Sequence, residues 1–417
     1  MIYKAVVWDV MQLMFQKFND HQLHSVIYFD SQLDEDCIKK SVDMSLDAFP
    51  IIRCKFVEKS CFKFPYWEDY NFKSDDMVNL VKTEDIEGAI KKLIVFNINE
   101  TLGPQMRFNI IRSSKRDVLC IVFNHMIADA AGFREYLYML SSIYSNLKKN
   151  PGYVCNYSMG SRSVKQVFKR FSFSDKLKIL KASSHLSKYN TGAFFPLEGD
   201  MNHPFIERYK ISREKFFRIK AYAKNNDATI NDVLLAAYMR SLSKVLGVKH
   251  ISLPCPVDLR KYLPGRKADG IANFISNMIC DIGEDMGDTF NDTLLKVKKC
   301  MDNEKKSFSC LNGPLMLEIV FGILPYKMAK GIVNRAFTNP LLAMTNIGII
   351  DKNKLQFEGL NVKDTFICGS IKYKPYFQVA VTTFDNEVTL SVNFYGTEND
   401  RKKIREFLCV LGNELPY

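Results

Sequence analysis

The chain of 417 residues has no Cys-x-x-Cys pair, although it holds 11 cysteines. They stand one at a time, often inside apolar runs, as at Cys120, Cys255, Cys280 and Cys409. An odd count of scattered cysteines argues against a disulfide scaffold or a zinc site and reads as reduced, buried thiols of a cytoplasmic protein. Histidine is rare, at six residues. His21 and His24 have no third ligand near them in sequence, and His185, His203 and His250 are isolated, so no metal site is expected from these five. No uncharged apolar stretch is long enough to cross a bilayer. The first residues, MIYKAVVWDVMQLMF, lack the basic start, apolar centre and small-residue cleavage site of a signal peptide. No Ser or Cys sits in a nucleophile elbow of the Gly-x-Ser-x-Gly type. Lys and Arg number 58 against 46 Asp and Glu, a net charge of +12, but the basic residues are spread out. With no arginine-rich tract and no nucleic-acid motif, nucleic acid is not an expected partner.

What is present is ordinary globular material: 47% hydrophobic and 25% charged residues, with 31 Phe and 19 Tyr for core or for an apolar channel. The length exceeds that of one ordinary core and predicts two lobes. QLHSVIYFD (22–30) reads as a strand, and Leu33, Ile38, Val42, Leu46 and Phe49 then follow at helical spacing, with Asp34 as N-cap and Pro50 ending the run. A strand (IIRCKFVE) and a helix over 84–97 come next. Residues 106–112 and 117–124 read as paired strands around a 113–116 turn, and a helix covers 130–148. Residues 149–204, rich in Pro, Gly, Ser, Asn and Lys, read as a crossover with a short helix near 175–186; the Lys and Arg residues of 162–182 read as solvated faces rather than phosphate ligands.

A second αβ series begins at Phe205. It carries strands in FIERYKIS, HISLPCPVDLR and NFISNMIC, and again over 341–350, 375–383 and 387–395. Its helices lie in REKFFRIKAYAKNN, in ATINDVLLAAYMRSLSKVLG (capped by Thr229, ended by Gly247), over 287–305 and over 399–410. MLEIVFGILPYKMAKGIVNRAF (316–337) has the pattern of a buried helix pair broken at Pro325, which is favoured over a membrane-surface segment. The expected organisation is an N-terminal lobe over 1–150, a linker over 151–204 and a C-terminal lobe over 205–417.

The segment with chemistry is DVLCIVFNHMIADAAGF. A buried strand ends at Asn124, His125 and Asp129 follow at a spacing of four, and small residues open a helix. A strand end fixes an imidazole rigidly, and an imidazole takes up a proton near neutral pH. With six His and 46 acidic residues, such a spacing arises by chance in roughly half of chains like this one. The spacing alone is equally that of a loop histidine held by local polar groups.

In its context, NHMIADAAGF resembles the His-His-x-x-x-Asp-Gly motif of the chloramphenicol acetyltransferase-like superfamily, which includes condensation domains, alcohol acetyltransferases, wax-ester-type acyltransferases and the plant BAHD acyltransferases. Other segments resemble that superfamily in the right order: LDEDCIKKSVDMSLDAFPIIRCKF, LGPQMRFNII, ATINDVLLAAYMRSL, PVDLRKYLP, NFISNM and MTNIGIID. The resemblance spans roughly 20–410 and implies an α/β (α+β) fold of two lobes with mixed sheets and an active-site tunnel between them.

It further implies an acyltransferase. The donor would be a thioester, acyl-CoA or the phosphopantetheinyl arm of an acyl carrier protein, and the acceptor a hydroxyl or an amine. No cofactor would be permanently bound, no metal or covalent acyl-enzyme is needed, and the chain would be a free-standing cytoplasmic monomer. His125 takes the place of the general base. Asp129 takes that of a structural carboxylate paired with Arg260, which read without the family is an exposed strand-end residue. Asn346, with Thr345 beside it, falls near the tunnel, either supporting an oxyanion or tying down the turn before Gly348; Asn124 stands where the first motif histidine would be and is a candidate for the same oxyanion or tunnel role. Asn273 and Asn277 read as structural. The departures are Asn124, Ala130 in place of the motif glycine, and the absence of Asp-Phe-Gly-Trp-Gly. With Trp only at positions 8 and 67, a plant-type enzyme is excluded. Asn124 and Ala130 also leave a rival reading, a catalytically inactive module that binds a carrier protein or a lipid.

Overall fold

The computed structural model describes residues 1–182 and 192–416. A five-stranded sheet organises the N-terminal half, in the order Val362–Cys368, Gln22–Phe29, Asp117–Asn124, Met106–Arg112, Val78–Lys82. Its pairs are antiparallel except the last, which is parallel. Every residue of Asp117–Asn124 is buried, because both faces are covered. Helices Glu35–Ala48 and Ala130–Lys149 close one face with Leu46, Phe133 and Leu137. Ile90 and Ile94 close the other against Val118 and Cys120. A strand covered on both sides must be apolar throughout, which is why DVLCIVFN shows little alternation.

The C-terminal half is built on a four-stranded sheet ordered Leu342–Ile350, Phe377–Phe384, Glu387–Tyr395, Pro204–Ile211. Asp385 and Asn386 make its hairpin turn, both at positive φ (45° and 62°), a conformation these two residue types tolerate. Helices Arg213–Asn225, Ile230–Leu246 and Glu398–Glu414 pack against it. Thr229 and Asp232 form a reciprocal N-terminal cap and Gly247 ends the helix at φ 67°, as expected. Ser252–Asp258 pairs antiparallel with Ile275–Asp281 in a separate ribbon.

Several expectations are corrected. The second half is not self-contained: Val362–Cys368, for which the sequence reading has no strand, crosses to the edge of the first sheet beside Gln22–Phe29. The opening segment forms a helix, Val7–Met14. IIRC is mostly a 3₁₀ turn, Pro50–Arg53, and only Cys54–Val57 is strand. In the crossover a 3₁₀ segment, Val164–Arg170, precedes the helix Phe173–Lys181, and the rest of the expected 175–186 helix, with His185, lies outside the described residues. Cys409 is exposed, on the outer face of the last helix, whereas Cys120, Cys255 and Cys280 are buried. The 316–337 segment is a helix pair broken before Pro325 but only partly buried, with Met316, Ile323 and Met328 exposed. Among the described residues no helix is long and apolar enough to cross a membrane.

Candidate active site

Strand register fixes the position of His125. Gln22 pairs with Asn124 across the two central strands, so His21 and His125 face each other just beyond the ladder. The His125 N–H donates to the His21 carbonyl at 3.0 Å. His21 is buried and held at φ 44°, a left-handed conformation that costs a non-glycine residue energy.

The loop that follows is held by side chains from distant parts of the chain. The Asn124 amide donates to Gln105 Oε1 at 2.7 Å while its oxygen accepts from the Met126 N–H at 2.9 Å. Asn273 donates to the carbonyls of His125 (2.9 Å) and Met126 (3.1 Å). Arg162 donates to the Ile127 carbonyl at 3.0 Å and grips Asp9 through both terminal nitrogens, at 2.7 and 3.1 Å. Asp9 also accepts from the Trp67 indole at 2.7 Å. An imidazole on so constrained a loop is pre-organised.

Asp129 points away from the cavity. It caps the helix Ala130–Lys149 by accepting from the Gly132 N–H (2.8 Å), and it accepts from the Phe274 N–H (2.7 Å). Arg260 meets it bidentately at 2.9 and 3.0 Å and also donates to the Ala272 carbonyl at 2.8 Å. Burial alone would raise the Asp129 carboxyl, but the guanidinium and these N–H groups outweigh it and hold the pKa below its ordinary value. The expected Asp129–Arg260 pair is therefore present, and it fastens the histidine loop to the second half. Gly132 is needed beside it, because a Cβ there would lie 2.8 Å from Ala128 Cβ and 3.1 Å from the Ala272 carbonyl. Ala130 sits in the first helical turn with no positive φ, so the missing motif glycine costs the backbone nothing.

His125 opens on a cavity of about 710 Å³ between the two halves. Trp8, Met11 and Leu23 come from the first half; Leu317, Val333 and Met344 come from the second. Nδ1 of His125 is buried with no hydrogen-bond partner from another residue, which leaves Nε2 as the nitrogen that meets the cavity. Burial lowers the imidazole's pKa; Lys372 and His21 lower it further, while its own carbonyl and Asp129 pull it back up. The net direction is down, so the ring is a neutral base at neutral pH.

The other expected site residues divide. Thr345 lines the cavity. Asn124 and Asn346 do not, which corrects the reading of either as an oxyanion donor. Both polar ends of Asn124 are spent on the loop. Asn346 accepts from the Gly348 N–H (3.0 Å) at a bulge and donates to Asn231 (3.3 Å), the structural alternative foreseen for it. Sequence reasoning missed Arg162, which is buried rather than solvated, together with Asp9, Gln105 and Lys372. The one signal for Asp9 and Arg162 is that Asp9 interrupts an apolar helix. Among the described residues no cysteine lines the cavity and no group of three or more His, Cys, Asp or Glu could hold a metal ion.

Comparison with solved structures settles what this architecture is. A trichothecene 15-O-acetyltransferase from Fusarium sporotrichioides superposes with a TM-score of 0.74 at 12% identity, covering 100% of this chain and 96% of that one. The first condensation domain of the CDA synthetase gives 0.71 at 12% identity, with the same coverage. The chain has the chloramphenicol acetyltransferase-like, condensation-domain fold. Polyketide synthase associated protein 5 from Mycobacterium tuberculosis shares it, at a TM-score of 0.67, 14% identity and 99% coverage of both chains. The family described as WS/DGAT C-terminal domain matches residues 271–400, the stretch that carries Asn273, the crossing strands and Lys372. No curated protein matches the chain by sequence. In this condensation-type fold, Asp129–Arg260 and Arg162–Asp9 are buried ion pairs that hold the histidine loop.

Proposed function

We propose that the chain is an acyltransferase that moves an acyl group from a thioester to a hydroxyl or amine, with His125 as general base. One observation carries this reading: His125, fixed at a strand end, lines a cavity walled by both halves of a condensation-type fold. Acyl-CoA or a phosphopantetheinyl thioester of an acyl carrier protein would supply the acyl group. Nε2 would take the acceptor's proton as its oxygen or nitrogen attacks the thioester carbonyl, and the tetrahedral intermediate would collapse with loss of thiol. Asp129 acts through the loop and not on the ring, because its oxygens are occupied by Arg260, Gly132 and Phe274. Thr345, on the strand Leu342–Ile350, lines the same cavity and is the candidate donor to the developing oxyanion. A histidine on a cavity walled by both halves favours catalysis over the inactive carrier- or lipid-binding module, and Asn124 and Ala130 fit the loop without strain.

The test is incubation of the purified chain with acyl-CoAs of increasing length, alcohols and amines, and a thiol reagent. Thiol release that depends on the acceptor is the expected result; thioester binding without release would return the module reading. The pH profile adds a second check. Because burial lowers the imidazole's pKa, kcat/KM should rise with pH and level off below pH 6.5, the ordinary histidine value. A limb centred above 6.5 would count against a buried neutral base.

A further inference from the structure

Lys372 is one of two lysines on the cavity, with Lys181 at the end of the helix Phe173–Lys181, and it is the one on the histidine side: an isolated bridge joins it to Asn19, two residues before His21. It lies just beyond the crossing strand Val362–Cys368, and its backbone is pinned by bonds between its N–H and the Asn393 carbonyl and between its carbonyl and the Tyr395 N–H, each 3.0 Å. Its side chain lines the same cavity as His125. Among the described residues its ammonium has no hydrogen bond and no ion pair. The acid whose charge reaches it is Asp20, but the two form no ion pair, and Asp20 Oδ2 is buried with no hydrogen-bond partner. Asp20 Oδ1 accepts from the Gln22 and Ile371 N–H groups at 3.2 and 2.8 Å, and Oδ2 faces His24 Nε2 at 3.6 Å. The acid in the cavity wall, Glu304, accepts from Ser309 Oγ at 2.9 Å.

Lys372 is half-buried, and an unpaired ammonium on a cavity wall is a ready point of attachment for an anion that enters it. Burial lowers this ammonium to about 8, with Asp20 opposing, so it remains mostly charged at neutral pH. The bridge between Lys372 and Asn19 lies two residues from His21, whose carbonyl accepts from the His125 N–H, so the lysine and the histidine enter the cavity from adjacent backbone.

We infer that Lys372 binds an anionic group of the acceptor, making the preferred acceptor a hydroxy or amino acid with its carboxylate near the nucleophile. This rests on the acyltransferase reading and narrows its substrate class. The remaining walls, which include Met11, Phe15, Val320 and Phe337, suit an aliphatic acid.

The test uses 3-hydroxydecanoate and its methyl ester as acceptors, with one acyl-CoA donor. The wild-type chain should favour the acid by at least tenfold in kcat/KM, and Lys372→Met should bring the ratio near one, chiefly through KM for the acid. Lys372→Arg should retain most of the preference. Equal use of acid and ester by the wild type, or a preference that survives Lys372→Met, would overturn the inference. A donor arm separates the other source of anion: with an N-acetylcysteamine thioester, which has no phosphate, the loss on Lys372→Met should persist, and its disappearance would assign the anion to the donor and refute the acceptor assignment. Calorimetry with His125→Ala reads binding without turnover. Tighter binding of 3-hydroxydecanoate than of its ester is expected even if no thioester is ever consumed, so failure of the transfer reaction and failure of anion recognition are distinguishable.

Discussion

His125→Ala is expected to lower acceptor-dependent thiol release by about 100- to 10,000-fold, the contribution typical of a positioned general base. The ring does little for the fold: no other residue hydrogen-bonds its nitrogens, and the loop is held through main-chain groups by His21, Asn273 and Arg162. The variant should therefore unfold at nearly the wild-type temperature and still bind thioester. A turnover rate within a few-fold of wild type would remove the base assignment. The converse pattern, lost activity with a melted fold, would make His125 structural.

The second large effect is on stability. Arg260→Met leaves Asp129 buried with its charge unmatched, and losing one partner of a buried pair costs about 3–5 kcal/mol. Asp129 keeps its bonds from the Gly132 and Phe274 N–H groups, so the expected loss is toward the lower end. The shape of the pair matters less than its completeness. Asp129→Asn combined with Arg260→Met should recover part of the loss, and denaturant unfolding of the three variants measures the coupling. The sign of the pH dependence follows from the lowered carboxyl: the pair's contribution is present above the ordinary aspartate value of 3.8 and is lost as pH falls through the lower folded value. Arg260→Met should flatten that acid limb. A variant as stable as wild type, with the limb unchanged, would show that the pair does not fasten the two halves.

The parts of the site that were legible in the sequence are those written locally. A buried strand, a histidine at its end, a capping aspartate and small residues opening a helix lie within 17 consecutive residues, DVLCIVFNHMIADAAGF. The elements on either side follow from periodicity and caps, such as Thr229 with Asp232 and the turn at 113–116. Arg260 became visible only through the resemblance of PVDLR to its family segment, since 131 residues separate it from Asp129. Arg162 and Asp9 are 153 apart, and nothing near either one announces a partner, so a basic residue in a polar linker reads as solvated. The crossing strand Val362–Cys368 was missed for a related reason. VKDTFIC has a charged, half-exposed start, as an edge strand does, and its partner lies in the other half of the chain. Asn124 and Asn346 show a different limit: the direction of an amide depends on which neighbours satisfy it, and both are bonded within the protein rather than turned to the cavity.

The central claim is that two reactants meet at one imidazole with no covalent stage. Initial rates measured with donor and acceptor both varied test it most directly, with intact-mass measurement of the protein after exposure to donor alone. Intersecting double-reciprocal lines and an unmodified mass are predicted, because direct attack requires both substrates in the cavity together. Parallel lines with an acyl group left on the chain would contradict the account, since the acyl group would then have passed through a nucleophile that the mechanism does not contain.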